Sequence, residues 1–462
     1  MPVLLATDLL VWMLTAAVAA FAFYCSRRAH LAAPWARVFH SPAAMASSVV
    51  LAAYLLTGLL DSVHYRPALP ALQPGAPVAF SIEVRSLLDA LLAPLRERGE
   101  KTYSAPLATR LFQKELVGQP DGRSLRDYPR LRHGGAHLAH ESERGADILL
   151  RALAGLAAAA ALWAVAVMIG RRTLVRRWPK VPWGAASATL AALLALAGPA
   201  AALASGYHVL GTDRVGTDVL YQALKSIRTS LVIGTLTTLV LLPVGIGAGI
   251  AAGYFRGWVD DLIQYLYTTL NSIPGVLLIA ASVLMVQVYV DTHADVFPTS
   301  AQRADFRLLS LCVILGAIGW TGLARLLRGE ALKLSELEYI QAAHAFGVSH
   351  ARILARHILP NVSHLVIIAL VLDFSGLVLA EAVLSYVGVG VDPSTTSFGT
   401  MINAARLEMA REPMVWWSLA AAFLFMFVLV LAANLFADAV RDGFDPRVRV
   451  GAAPPATAAR AG

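Results

Sequence analysis

A chain of 462 residues with 57% apolar residues, only 15% charged residues and a mean hydropathy of +0.62 is read as an integral membrane protein, since soluble domains carry about 25% charge. Its formal net charge of +8 does not point to nucleic acid, because Arg and Lys gather beside the apolar runs, where they hold loops on the cytoplasmic side. The two cysteines, Cys25 and Cys312, lie inside apolar runs and leave no route to a disulfide framework or a cysteine zinc site.

The first predicted span runs from about Leu4 to Tyr24. It lacks the basic start of a cleavable signal peptide, carries Asp8 and is long enough to cross a bilayer, so it is expected to be a retained helix. Arg27, Arg28 and Arg37 place the following loop inside. A second span, about Ala43 to Leu60, returns outside to a long polar region, Asp61 to Asp147. That region holds Pro-rich stretches, an amphipathic candidate helix at 82–99 and turn signals at 117–135. It is rich in arginine, but loops this long are translocated largely regardless of charge. A third span, Ile148 to Gly170, ends in the basic run Arg171 to Lys180, and a fourth, Ala185 to Ala204, goes back out.

In the polar segment Tyr207 to Ser230, Gly211, Thr212 and Asp213 read as a turn, and Asp218 as the cap of a short helix. The fifth span, Leu231 to Tyr254, carries Pro243 and a run of glycines, Gly245, Gly247 and Gly249, whose spacing allows close helix approach. The sixth is interrupted at Asn271 to Gly275, where Pro274 removes a helical hydrogen bond. Such a break is tolerated only where protein or a water-filled cavity satisfies the backbone. Spans at about Leu308 to Leu327, Val362 to Val387 and Trp416 to Phe436 follow, and residues 451–462 are expected to be disordered. The result is an all-α polytopic bundle of nine spans with the N-terminus outside and the C-terminus inside.

Between the seventh and eighth spans lies a polar stretch, Ser335 to Asn361, flanked by Arg325, Arg328 and Lys333 and therefore placed in the cytoplasm. Ser335 with Glu338 reads as a capping box, Gly347 as the left-handed residue closing a first helix, Ser349 as the cap of a second, and Pro360 as its end.

Enzyme motifs are missing: no GxxxxGK[ST] loop, no HExxH and no GxSxG elbow. His133, His137, His140 and Glu141 are read as solvated loop residues rather than a metal cluster, because Gly134 and Gly135 interrupt any common helix. Asp373 and Glu381 fall inside the eighth span, where a charge is costly unless it faces partners or water. They are expected to line a pathway or hold helix packing; for Glu381, reaching the outer interface is the alternative.

The polar stretch carries Gln341-Ala342-Ala343, then Phe346-Gly347, then His357-Ile358-Leu359-Pro360, and resembles the EAA loop of permease subunits in bacterial ABC importers. LGTDRVGTDVLYQALKSIRTSL, GYFRGWVDDLI, SIPGVLL, LAEAVLSYVGVGV and DAVRDGFDPRVR occur in order around it, and together the segments are similar to the second permease subunit of dipeptide and oligopeptide importers over about Tyr207 to Arg449. The resemblance implies a six-helix permease core at 184–450, with a coupling loop at 329–361, preceded by an extension at 1–183 of three extra helices and an external region at 61–147. It implies a non-catalytic transport subunit in the bacterial cytoplasmic membrane. Expected partners are a homologous permease in a heterodimer, two cytoplasmic ATPases holding ATP and Mg, and an external substrate-binding protein delivering peptides. Glu338, Gln341, Ala342, Ala343, Phe346, Gly347 and Pro360 are then the ATPase-coupling residues. Gly211, Thr212, Asp213 and Asp218 form the external family motif, and Asn271, Pro274, Asp373 and Glu381 are candidates along the path. Gln341 stands where the motif's glutamate usually stands, with Glu338 one turn earlier on a similar face. A secondary transporter or a membrane receptor is the alternative class. The first should show an internal repeat, and the second does not account for the cytoplasmic helix pair.

Overall fold

Long apolar runs with their backbone groups satisfied internally leave helices as the natural spanning element, and the computed structural model bears this out over the residues it describes, 1–69, 79–118, 124–293 and 295–444. The tail 451–462, the Asp445 to Arg449 end of the last matching segment, and parts of the Pro-rich and turn-rich stretches lie outside the described residues. Nine helical segments among the described residues are long and apolar enough to cross a membrane, in agreement with the predicted spans.

The chain opens with strand β1 (Pro2–Val3), then α1 (Ala6–Ser26), α2 (Ala29–His40) and α3 (Pro42–Asp61). Helix α2 is an unpredicted amphipathic segment lying against the last helix of the chain. The polar region is not purely helical. Strands β2 (His64–Tyr65) and β3 (Arg85–Ser86) join β1 in an antiparallel sheet, and β4 (Glu115–Gly118) pairs with β5 (Ser124–Asp127). The candidate helix at 82–99 is only two short pieces, α4 (Leu87–Leu91) and α5 (Ala93–Arg96), because Pro94 cannot continue the first. Helices α6 (Arg144–Gly170) and α7 (Trp183–Ala204) follow as a pair. They cross at Gly155 and Gly198, where a Cβ on Gly155 would meet the Gly198 carbonyl oxygen at 2.5 Å. The other main neighbour of α7 is α3.

The fifth span and the short helix expected before it are one helix, α8 (Val219–Phe255). Then come α9 (Gly257–Ser272), α10 (Gly275–Thr292), α11 (Ser300–Gly319), α12 (Thr321–Ser335), α13 (Glu338–Ala345), α14 (His350–Ile353), α15 (Leu359–Val387), α16 (Phe398–Glu408) and α17 (Trp417–Phe444). Helix α16 was not foreseen in the loop after the eighth span. Its Ser397 cap and Thr400 exchange side-chain and backbone hydrogen bonds.

Helix α8 is the centre of the core and packs against α3, α11, α12 and α15. The contact with α12 is close because Gly245, Gly249 and Gly253 recur every fourth residue on one face. A Cβ on Gly249 would meet the Ala324 carbonyl oxygen at 2.7 Å, and one on Gly253 the Arg328 oxygen at 2.5 Å. Gly247, expected to share this role, has open space around it.

Buried charge ties the N-terminal helices and the segment after them to α8 and α11. Arg228 of α8 donates to Asp8 at 2.6 Å, Asp8 lies 2.6 Å from His64, and Lys225 reaches Asp61 at 2.6 Å and Asp89 at 3.1 Å. The Ala6 N–H donates to Asp305 of α11 at 2.8 Å. Removing one partner of such a buried pair costs roughly 3–5 kcal/mol, because the other charge is left without compensation.

The glycine crossing of α6 and α7 yields a direct test. Gly155→Leu should lower stability by about 1–3 kcal/mol through overpacking. Gly170→Leu, at a position with nothing within 4 Å, should leave the melting temperature of the detergent-solubilised protein near that of the parent.

Candidate functional site

The polar stretch between α12 and α15 is a helix, a glycine turn and a second helix, with two corrections. Ser335 ends α12 and donates to Leu332, and α13 begins at Glu338 after an extended Leu337, without a side-chain cap. The expected capping box is therefore absent. Nor does Pro360 end the second helix: α14 passes through a wide turn at Leu354–Ile358 into α15. In that turn the Leu359 N–H reaches back five residues to the Leu354 carbonyl. The widened turn accommodates a proline that has no N–H and whose ring would clash with the carbonyl four residues earlier.

Gly347 behaves as expected, with φ at +73°. Its N–H donates to His344 and the Val348 N–H to Ala343, at 2.9 and 3.1 Å, closing α13 in a Schellman motif. Ser349 holds the cap position of α14 but makes no side-chain cap bond.

One side of α13 is anchored. Ile340 is fully buried with Ile353, Ile358, Leu327, Ala331 and Val362, and Ala343 turns partly inward against the same cluster. Tyr254, in the last turn of α8, completes the seat. Its hydroxyl lies 2.8 Å from His344 Nε2 and 3.0 Å from His350 Nδ1, so one side chain braces both short helices. Sequence reasoning missed this seat. The available signals were an aromatic at the end of the fifth span and two histidines flanking Gly347.

The other side is open. Glu338, Gln341, Ala342 and Phe346 are exposed, Phe346 at 86%. Gln341 Nε2 donates to the Glu336 carbonyl at 3.1 Å, and Glu336 pairs with Arg256. A glutamate at position 341 could not donate that bond.

The other candidates separate in space. Gly211, Thr212, Asp213 and Asp218 converge at the opposite end of the bundle, as a joint between the 61–147 region and α8. The Thr212 hydroxyl donates to the Thr102 carbonyl and accepts from the Ser104 N–H, while its carbonyl accepts from Trp417. Asp213 accepts from the Val215 and Thr217 N–H groups, and Asp218 caps α8 through Leu220 and Tyr221. Buried His208 bridges Asp218 at 2.8 Å and Glu100 at 3.4 Å. Burial opposes the charge on His208, but the two carboxylates outweigh it and raise its pKa to about 9. Burial likewise opposes ionisation of Glu100, yet hydrogen bonds from His208 and from the Gly134, His133 and Arg132 N–H groups hold its carboxyl at about 2.

Glu381 is fully buried, enclosed by protein. One carboxyl oxygen accepts from Ser385 and Ser397, fastening α16 to α15. Asp373 is half-buried. Asn271 accepts from the Thr321 hydroxyl at 3.3 Å beside the helix break at Pro274. Of the loop residues weighed as metal ligands, His137 lies 2.7 Å from Asp147 and Glu141 accepts from Arg110.

A family model described as "Binding-protein-dependent transport system inner membrane component" matches residues 245–450. An oligopeptide transport system permease protein OppC of Mycobacterium tuberculosis is 33% identical over 242 residues, covering 52% of this chain and 77% of the relative. A dipeptide transport system permease protein DppC of Lactococcus lactis is 29% identical over 240 residues, covering 52% and 64%. A glutathione transport system permease protein GsiD of Pectobacterium atrosepticum is 32% identical over 247 residues, covering 53% and 74%. A solved structure of the MetNI methionine ABC transporter in an inward-facing conformation aligns at 16% identity and a TM-score of 0.36, over 49% of this chain and 98% of that one.

The joint at His208 carries a pH signature. A histidine raised from 6.5 to about 9 contributes its full stability below pH 6.5 and loses it as pH climbs through 9. A carboxyl lowered from 4.5 to about 2 contributes fully above pH 4.5 and loses this as pH falls towards 2. Thermal stability should therefore decline between pH 6.5 and 9, and His208→Gln should flatten that decline in melting curves across the range.

Proposed function

Since the chain belongs to the inner-membrane permeases of binding-protein-dependent ABC importers, in the peptide branch, we propose that it conducts peptide-class substrates across the bacterial cytoplasmic membrane under the drive of partner ATPases engaged through α13. The observation that carries this reading is the two-sidedness of α13: a buried seat at Ile340 beneath, and an exposed face of Glu338, Gln341, Ala342 and Phe346 above.

In this reading the N-terminus and the 61–147 region lie outside, and α13 and the C-terminus lie in the cytoplasm. A homologous permease pairs with this chain, an external binding protein delivers the substrate, and two ATPases bind ATP and Mg. Small Ala342 lets the ATPase surface approach closely, exposed Phe346 supplies an apolar anchor, and Glu338 and Gln341 supply polar contacts. Gly347 and Pro360 shape the element rather than touch the partner: one closes α13, and the other sits where the cytoplasmic helix rejoins its span. Closure of the ATPase pair pulls on α13, and α12 and α15 must follow because α12 leads directly into α13 and α15 joins it through α14. ATP biases the transition only through contacts that differ between the two states.

Ala342→Asp places a charge on the docking face while leaving Ile340 seated. It should cost roughly 2 kcal/mol or more of docking energy and abolish dipeptide uptake by the assembled importer in proteoliposomes, with membrane insertion unchanged. Undiminished uptake would sink the assignment. Gly347→Val should also abolish uptake, because its backbone lies in the left-handed region.

A further inference from the structure

The turn between α6 and α7 has no part in the coupling element. From Ile148 to Thr212 the chain carries no Asp or Glu, yet Arg171, Arg172, Arg176, Arg177 and Lys180 crowd into this turn. All five are exposed, and none meets a carboxylate among the described residues. Elsewhere accessible arginines find acids: Arg85 pairs with Glu83, Arg110 with Glu141, Arg151 with Asp147 and Arg256 with Glu336.

Positive charge beside a span follows from orientation alone, but the local fold goes further. Helix α6 widens over Arg171–Val175 into a turn closed by i→i+5 bonds. On an α-helix, residues five positions apart stand about 140° apart around the axis. The widened turn draws Arg171 towards the azimuth of Arg176, and Arg172 towards that of Arg177. Like charges brought together repel, and the chain supplies nothing of opposite sign. An anion between them removes the repulsion, and the planar guanidinium fork suits the oxygens of a phosphate. The turn is also braced: the Trp178 N–H donates to the Leu174 carbonyl at 2.9 Å, and the Trp183 indole to the Trp178 carbonyl at 3.0 Å.

Depth identifies the source of the phosphate. Ala152 to Gly170 is uncharged, and its 19 residues cover about 28 Å, close to a hydrocarbon layer about 30 Å thick. Arg151, paired with Asp147, marks one boundary, and Arg171 therefore marks the other. Tyr207 donates to Asp147 beside the start of α8, so Arg171 lies on the side where α8 ends against α13. Exposed Leu150, Leu153, Leu156, Leu162 and Val165 spread over most of the circumference of α6, which leaves lipid as its surroundings up to the first arginine. Trp178, 54% exposed, stands where tryptophan favours the headgroup level, with the Arg177 guanidinium 5.9 Å from its ring centre.

We infer that Arg171, Arg172, Arg176 and Arg177, with Lys180 and Trp178, form a binding site for anionic phospholipid in the leaflet on the side of α13, each arginine pair engaging a phosphate. The inference depends on the membrane spans and not on the substrate or the ATPases.

Native mass spectrometry of the full chain, released from mixed micelles of phosphatidylglycerol and phosphatidylcholine, reads the lipid retained. R171Q/R176Q should bind phosphatidylglycerol roughly thirtyfold more weakly than the parent, at about a factor of five for each cation near an anionic surface. R171K/R176K, which keeps the charge, should stay within about fivefold of the parent. R126Q/R132Q removes two exposed arginines from the 61–147 region and should bind as the parent does. Equal loss in the two glutamine doubles would overturn the site in favour of a diffuse charge effect, and equal retention of phosphatidylcholine by the parent would overturn its selectivity for anionic lipid. Displacement of the lipid by equimolar inorganic phosphate would assign the arginine pairs to a free anion. Loss of the lipid when the chain joins its partner subunits would assign the face to an acidic protein surface. Either outcome overturns the inference.

Discussion

The contact between α8 and α12 is the constraint on which the other features depend. Three glycines at four-residue spacing bring the α8 backbone against the carbonyls of Ala324 and Arg328, so that α12 has no room to slide along its neighbour. Because α12 is fixed, Glu336 and Leu337 deliver α13 to a defined place, and Ile340 drops into a pocket built partly by α12 itself. The wide turn after α14 then returns the chain to α15 without a free hinge. An exposed helix held this firmly transmits a push, because it does not fold under it.

The N-terminal third of the chain is not loosely tethered. The first helix meets α8 through Asp8 and Arg228, the end of α3 and the segment after it through Lys225 with Asp61 and Asp89, and the sequence before α8 through the His208 bridge. Buried ion pairs of this kind contribute little net stability over an apolar replacement, yet they fix one arrangement strongly, since any other leaves a charge stranded. The N-terminal end of α8 is therefore clamped by electrostatics, and its C-terminal end by packing.

The spans were legible because hydropathy at membrane length is a strong signal and the short loops agree in charge. Gly347 was legible because only a left-handed residue closes a short helix that way, and the break at Pro274 because proline has no N–H. The capping box at Ser335 was not, because the Ser-x-x-Glu pattern is equally satisfied by a residue that ends one helix just before another starts. Pro360 misled because a widened turn can absorb the clash that normally stops a helix. The Tyr254–His344–His350 seat depends on residues about 90 positions apart, and no local pattern joins them. The small sheets consist of two- and four-residue strands, too short for alternation to register.

The unbroken course of α8 also imposes a phase relation. Asp218 caps its N-terminal end and Tyr254 braces α13 and α14 at its C-terminal end, 36 positions later, which is about ten turns. The two groups thus sit at nearly the same azimuth on one rod. Adding or removing a single residue within α8 would swing Tyr254 by about 100° about the helix axis relative to the joint at Asp218. The length of this helix is in that sense a register that fixes its two ends relative to one another.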